Sequence, residues 1–307
     1  MSVTTHASDS GTSIDRQSVL FENILELIRR TSTILPDDVV RSIERARGAE
    51  EKESNADVAL NVICSNIGLA KDNSAPICQD TGTILFFVHT PVGYDQIALE
   101  EAATEAVREA TRRGYLRQNS VDSITGKNTG DNTGPGSPVF HFHQWRKDHV
   151  EVKLILKGGG CENMNAQYSL PHPDLGARDL KGVENAILDA VLRAQGHGCG
   201  PGILGVCVGG DRGTGYAYAK ELLLRELDDT NPDPILGELE LRIVDKANRS
   251  GIGPMGFGGN TTLLACKIGK QNRLPASFFV SIAYMCWAYR RRGVEMSADG
   301  KVMQWLY

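Results

Sequence analysis

Apolar positions along the first third of the chain recur with helical spacing. "VLFENILELIRR" sets Leu20, Ile24, Leu25 and Ile28 on one stripe, and "PDDVV" opens a second helix with the acidic residues favoured in a first turn. The helical pattern extends from Val19 to about Ala70, and an Ala-rich amphipathic segment follows from about Ile97 to Arg113. Further helical stretches are expected at 179–195, 215–227 and 236–249. Between them lie short runs rich in β-branched and aromatic residues. These are "TILFFVH" (83–89), "SPVFHFHQW" (137–145), "VEVKLIL" (150–156), "ILGVCVG" (203–209), "TTLLACKI" (261–268) and "SFFVSIAYM" (277–285). Interspersed helices and strands predict a mixed α/β domain with a helical N-terminal region. It would span 19–307, after a Ser/Thr-rich tail over 1–18 that resembles no secretory signal.

Composition narrows the class. The chain has 307 residues and 41% apolar content, enough to bury a core without disulfides. A net charge of −5 argues against nucleic acid as partner, and no apolar run reaches the 18 residues that a membrane span needs. Seven cysteines with no signal peptide point to free thiols in a reducing, cytoplasmic setting.

The chemistry concentrates in glycine-rich punctuation. "PICQDTG" (76–82) places a thiol, a carboxamide and a carboxylate side by side, while "GKNTGDNTGPGSP", "KGGGCENMN", "GHGCGPG" and "GIGPMGFGGN" each border an expected element. Three cysteines, Cys78, Cys161 and Cys199, fall in or beside such loops. "GVCVGGDRGTGYAYAKELL" has the strand–turn–helix layout of a phosphate cradle, but its glycines lack the dinucleotide spacing and it reads as a plain connection. His141 and His143 share one strand face; either they clamp a metal, or Phe140 and Phe142 pack inward and leave them half exposed. Arg290, Arg291 and Arg292 form a run that reads as a solvated face, with contact to an anionic substrate beside Cys286 as the alternative. No paired Cys-x-x-Cys exists, so any metal site must be assembled by the fold from distant loops.

In this order, "PICQDTG", "GKNTGDNT", "KGGGCENMN", "NPDP", "RSGIGPMGFGGNTT" and "CWAYRRRG" resemble the α-type iron–sulfur hydro-lyases, the class I fumarases and L(+)-tartrate dehydratases. The similarity runs from about Leu35 to Glu295. It implies a [4Fe–4S] cluster in loops between strands and helices, bound by Cys78, Cys199 and Cys286, with one iron lacking a cysteine and free to act as a Lewis acid. In the same way it implies Gln79, Asp80, Arg117 and Gly160 as substrate contacts, with Asp80 also catalytic. Cys161 stands where relatives often carry serine and is left outside the ligand set; Cys64, Cys207 and Cys266 read as core. Leu274 stands where many relatives carry a histidine, and the β-type region that follows in single-chain relatives is not seen. The resemblance therefore implies a small C4 dicarboxylate substrate and a β-type partner subunit in a hetero-oligomer. The alternative is a non-catalytic, cluster-bearing scaffold subunit.

Overall fold

The computed structural model describes residues 18–307; the expected N-terminal tail lies outside the described residues, except that Ser18 already belongs to the fold. Its hydroxyl accepts from the Phe21 amide and caps helix α1 (Val19–Thr33). Helices α2 (Asp37–Ala49) and α3 (Asn55–Asp72) complete the N-terminal helical region. On α1, Phe21, Ile24, Leu25, Leu27 and Ile28 are buried, while Leu20 sits at the edge of the stripe.

Among the described residues nine strands form two sheets, both mixed. In the five-stranded sheet the order is β2 (Val139–Trp145), β1 (Thr83–Pro91), β3 (His149–Lys157), β8 (Arg290–Ser297), β9 (Val302–Leu306). Only its β1/β2 pair is parallel. The four-stranded sheet runs β4 (Ala166–Ser169), β7 (Phe279–Met285), β5 (Gly202–Val208), β6 (Leu263–Lys270), with β5/β6 parallel. The continuous apolar run of β1 follows from burial on both sheet faces. Ile84, Phe86 and Val88 pack with α1 and α4 (Gln96–Arg112), whereas Leu85 and Phe87 join the larger core. That larger core is shared by the four-stranded sheet, α2, α3, α6 (Leu180–Ala194), α7 (Arg212–Leu222) and α8 (Pro234–Asn248).

Several boundaries shift for local reasons. Helix α7 starts at Arg212 because Asp211 forms a capping box with Thr214, and it ends at Leu222 rather than 227. Helix α5 (Gly159–Glu162) is a single turn inside the "KGGGCENMN" loop. The arginine run is not a solvated face. It opens β8, where Arg290 and Arg291 are fully buried, and Arg291 pairs with Asp38 of α2 at 2.5 Å. Phe140 and Phe142 pack against the smaller core, and His141 and His143 stack on Phe87 and His89 of β1, in line with the inward-phenylalanine reading. Among the described residues no helix is long and apolar enough to cross a membrane.

Candidate functional site

The site lies where the two sheets meet, because the chain passes from β7 into β8 through Cys286–Tyr289. Loops at the ends of β1 and β3 supply one wall, and loops around β5 and β7 supply the other.

The first wall is held by hydrogen bonds. Ile77 is buried, donates its amide to Ser32 O (3.0 Å) and accepts from Asn66 Nδ2 (2.9 Å), which fixes the approach to Cys78. The Asp80 amide donates to Cys78 Sγ at 3.4 Å. The Asp80 carboxylate accepts from Gly82 N (2.9 Å) and Asn119 Nδ2 (2.6 Å) at Oδ1, and from Gly159 N (2.6 Å) at Oδ2. Gly82 makes this turn possible. Its φ is +77°, and a Cβ there would lie 2.4 Å from the Lys157 carbonyl. Thr81 Oγ1 and Asn132 Nδ2 both donate to Arg117 O, and Asn132 Oδ1 accepts from the amides of Asn119 and Ser120. A polar cleft of about 240 Å³ opens between Asp80, Asn119, Ser120, Asn132, Ser137 and Gly159.

The second wall is held by packing. Cys199 sits in the loop between α6 and β5 at φ +54°, a strained conformation for a residue with a side chain. The Tyr284 ring covers that loop so closely that a Cβ on Gly198 or Gly202 would fall 2.4 Å from it. The Trp287 amide donates to Cys199 O at 3.2 Å, which ties the Cys286 turn to the Cys199 loop. Cys161, on α5, is buried beside Cys286, with Lys157 Nζ 3.9 Å from its sulfur. Lys157 is fully buried and is balanced by Glu162 at 2.7 Å.

The thiols sense one another. Contact with the Cys286 thiol, opposed by burial and helped by the Lys157 and Arg290 charges, brings Cys161 down to about 6. The same contact, reinforced by burial, drives Cys286 well above the ordinary thiol range. Burial raises Cys199, and the neighbouring Cys78 and Cys161 push it the same way. Four cysteines therefore share one electrostatic neighbourhood, whereas Cys207 and Cys266 are buried core thiols and Cys64 is half-buried against the same core. Among the described residues no group of three or more His, Cys, Asp or Glu side chains has the compact geometry of a single-ion site. Thiolates bound to different irons of one cluster need not have it.

Of the residues singled out in the sequence, Cys78, Cys199 and Cys286 come together, and Asp80 stands beside Cys78. Gln79 and the Arg117 side chain are exposed. Gly160 is exposed as well, and a Cβ there would meet nothing within 4 Å, so protein packing does not require a glycine at that position. Leu274 lies on a loop at 74% exposure. Sequence reasoning missed Asn119, Gly159 and Tyr284 as the groups that fix Asp80 and the Cys199 loop. The motif "YLRQNS" contains Asn119, but nothing in it marks the carboxamide above the guanidinium two residues earlier.

The profile of the family described as Fumarate hydratase (Fumerase) matches residues 21–295. A Geobacillus stearothermophilus protein named "Putative fumarate hydratase class I" is 53% identical over 94% of this chain, but the chain spans only 57% of that protein's length. The L(+)-tartrate dehydratase subunit alpha of Escherichia coli K12 is 30% identical, over 91% of each chain.

Proposed function

The chain belongs to the fumarate hydratase family, and from that premise we propose that it is the α-type component of an iron–sulfur hydro-lyase. It reversibly adds or removes water on a small C4 dicarboxylate, with fumarate/malate first and tartrate/oxaloacetate close behind. The observation that carries this reading is the meeting of Cys78, Cys199 and Cys286, from loops far apart in sequence, beside a pre-positioned carboxylate.

The residues fit a thiolate-held cluster. The donor set is soft sulfur, the Asp80 amide already donates to Cys78 Sγ, and a buried cation, Arg290, acts on the thiols. Cys78, Cys199 and Cys286 would hold a [4Fe–4S] cluster, which when bound supplies Lewis-acid assistance to the departure of hydroxide, a poor leaving group. The protein's own groups do the rest. Asp80, oriented by Asn119 and Gly159, faces the cleft and can hold or release a proton at Oδ2. Arg117 offers an exposed guanidinium suited to a substrate carboxylate, and Gln79 offers a carboxamide beside it. A β-type partner completes the active site and supplies the general base. The subunit naming of the tartrate dehydratase relative supports such a component.

The test is anaerobic production with and without a β-type partner, followed by iron and sulfide analysis and assays on fumarate and tartrate. The expected result is a brown protein containing iron and sulfide that turns over only with the partner present. A colourless chain that takes up neither iron nor sulfide overturns the proposal. The exposed Leu274, in place of a family histidine, favours one second reading, a cluster-bearing scaffold. That reading requires a fully loaded, partner-bound protein that converts neither substrate.

A further inference from the structure

Three consecutive arginines enter β8, and two of them have hydrogen-bond acceptors for their terminal nitrogens. Arg291 pairs with Asp38, and Arg292 donates to the carbonyls of Ile34, Leu35 and Tyr307. Arg290 is 1% exposed, and its Nε, Nη1 and Nη2 all lack a hydrogen-bond partner among the described residues. Other buried cations here have a carboxylate: Lys157 has Glu162, and Lys267 has Asp229. A guanidinium removed from water with no counter-charge costs several kcal/mol, so its persistence calls for a compensating anion.

The position of Arg290 indicates which anion. Its backbone follows Cys286 by one tight turn, in which the Tyr289 amide donates to Trp287 O (2.8 Å) and the Arg290 amide to Ala288 O (2.9 Å). Across the ladder it stands opposite Leu156 of β3, one residue before Lys157, whose Nζ lies 3.9 Å from Cys161 Sγ. Seclusion from solvent removes the option of direct contact with an incoming substrate carboxylate.

We propose that Arg290 is a positioning residue whose buried, unpartnered guanidinium is the counter-charge for the cluster held through Cys286. The inference rests on the iron–sulfur reading above. A thiolate-bound cluster is an anionic assembly, and nearby positive charge favours both its retention and its reduction. The cluster-free chain bears the opposite consequence, because the charge is then buried with nothing to balance it.

The experiment compares the wild-type protein with Arg290→Met and Arg290→Lys, each produced anaerobically with its partner. It measures iron and sulfide content, the rate of cluster loss to a chelator, the midpoint potential followed by electron paramagnetic resonance, and Tm before and after cluster removal. Arg290→Met is expected to lose its cluster about tenfold faster. Its potential should fall by about 59 mV, a tenfold change in the one-electron equilibrium. Once stripped, it should melt about 3 °C above the stripped wild type. Arg290→Lys, which keeps the charge, should stay near the wild-type potential. A purely structural role predicts a lower stripped Tm for Arg290→Met with an unchanged potential. A stripped Arg290→Met that melts lower, or a variant that fails to fold, overturns the proposal, as do unchanged retention and potential. If the wild-type protein itself takes up no iron and sulfide, the iron–sulfur reading is what fails.

Discussion

The two walls of the site are built by opposite means. On the β1/β3 side, Asp80 meets a donor at each carboxylate oxygen, and Asn119 is fixed through Asn132. On the β5/β7 side, the Cys199 loop is wedged under Tyr284, Cys286 is buried, and the buried Arg290 guanidinium has no hydrogen-bond partner among the described residues. The first wall is held by hydrogen bonds within the chain, while on the proposed reading the second wall holds the cluster. Substitutions on the two walls should therefore fail differently. On the proposed reading, Asp80 should be alterable without loss of iron, whereas the cysteines should not.

The largest effect is expected from Cys286→Ser or Cys199→Ser. Either change should abolish iron and sulfide retention and lower hydro-lyase turnover by about a thousandfold or more, the several kcal/mol of a lost Lewis acid. Asp80→Asn should keep the iron and sulfide content but lower kcat by about 10²–10⁴, the range for a lost acid–base group. If Asp80→Asn strips the metal as the cysteine variants do, the contrast between the walls collapses. Equal metal content with unchanged kcat would instead remove Asp80 from the chemistry.

Much of this arrangement was legible in the sequence, for identifiable reasons. "TILFFVH" announced a strand because it is rich in β-branched and aromatic residues, and in the fold Phe86 and Phe87 enter different cores. The thiol-bearing loops were visible because glycine marks the turns that surround them. The run Arg290–Arg292 could not be placed by composition, since charge alone predicts exposure. It took Asp38, 253 residues away, to make burial of Arg291 tolerable. The clamp on Asp80 was equally hidden, because Asn119 and Gly159 reach it through tertiary contacts that leave no periodic trace. Strand β9 is short and half exposed, so its pattern carries little signal.

Asp38 tests the anchor of the second wall. Arg291 follows directly on Arg290 in β8, and its pair with Asp38 fixes that strand against α2. Asp38→Asn leaves a buried guanidinium unpaired and should destabilise the protein by about 3–5 kcal/mol, measured by urea unfolding. A pH dependence accompanies it. Burial pushes the Asp38 carboxyl up, but the Arg291 hydrogen bond and charge and the Leu227 amide outweigh it, so the folded value lies below the ordinary one. A depressed carboxylate contributes fully above its unfolded pKa of about 3.9 and loses that contribution as pH falls through the lower folded value. The wild-type protein should therefore lose more stability than Asp38→Asn between about pH 5 and the acid limit. Parallel acid curves would assign the pair no role.

The finest distinction is between two glycines. Gly202→Ala should place a Cβ against Tyr284 at 2.4 Å and cost about 1–3 kcal/mol as an overpacked contact, with a matching loss of cluster content because the strained Cys199 loop must move. Gly160→Ala meets no neighbour and lies in the single helical turn of α5, so its stability should stay within about 0.5 kcal/mol of wild type. If the α5 backbone instead approaches substrate, the same silent substitution should raise KM with iron content unchanged. The clash itself can be isolated by adding Tyr284→Ala. If the Tyr284 ring is the obstacle, the two stability losses should be markedly less than additive. Strict additivity would mean that Gly202 is constrained by something other than the ring that covers the Cys199 loop.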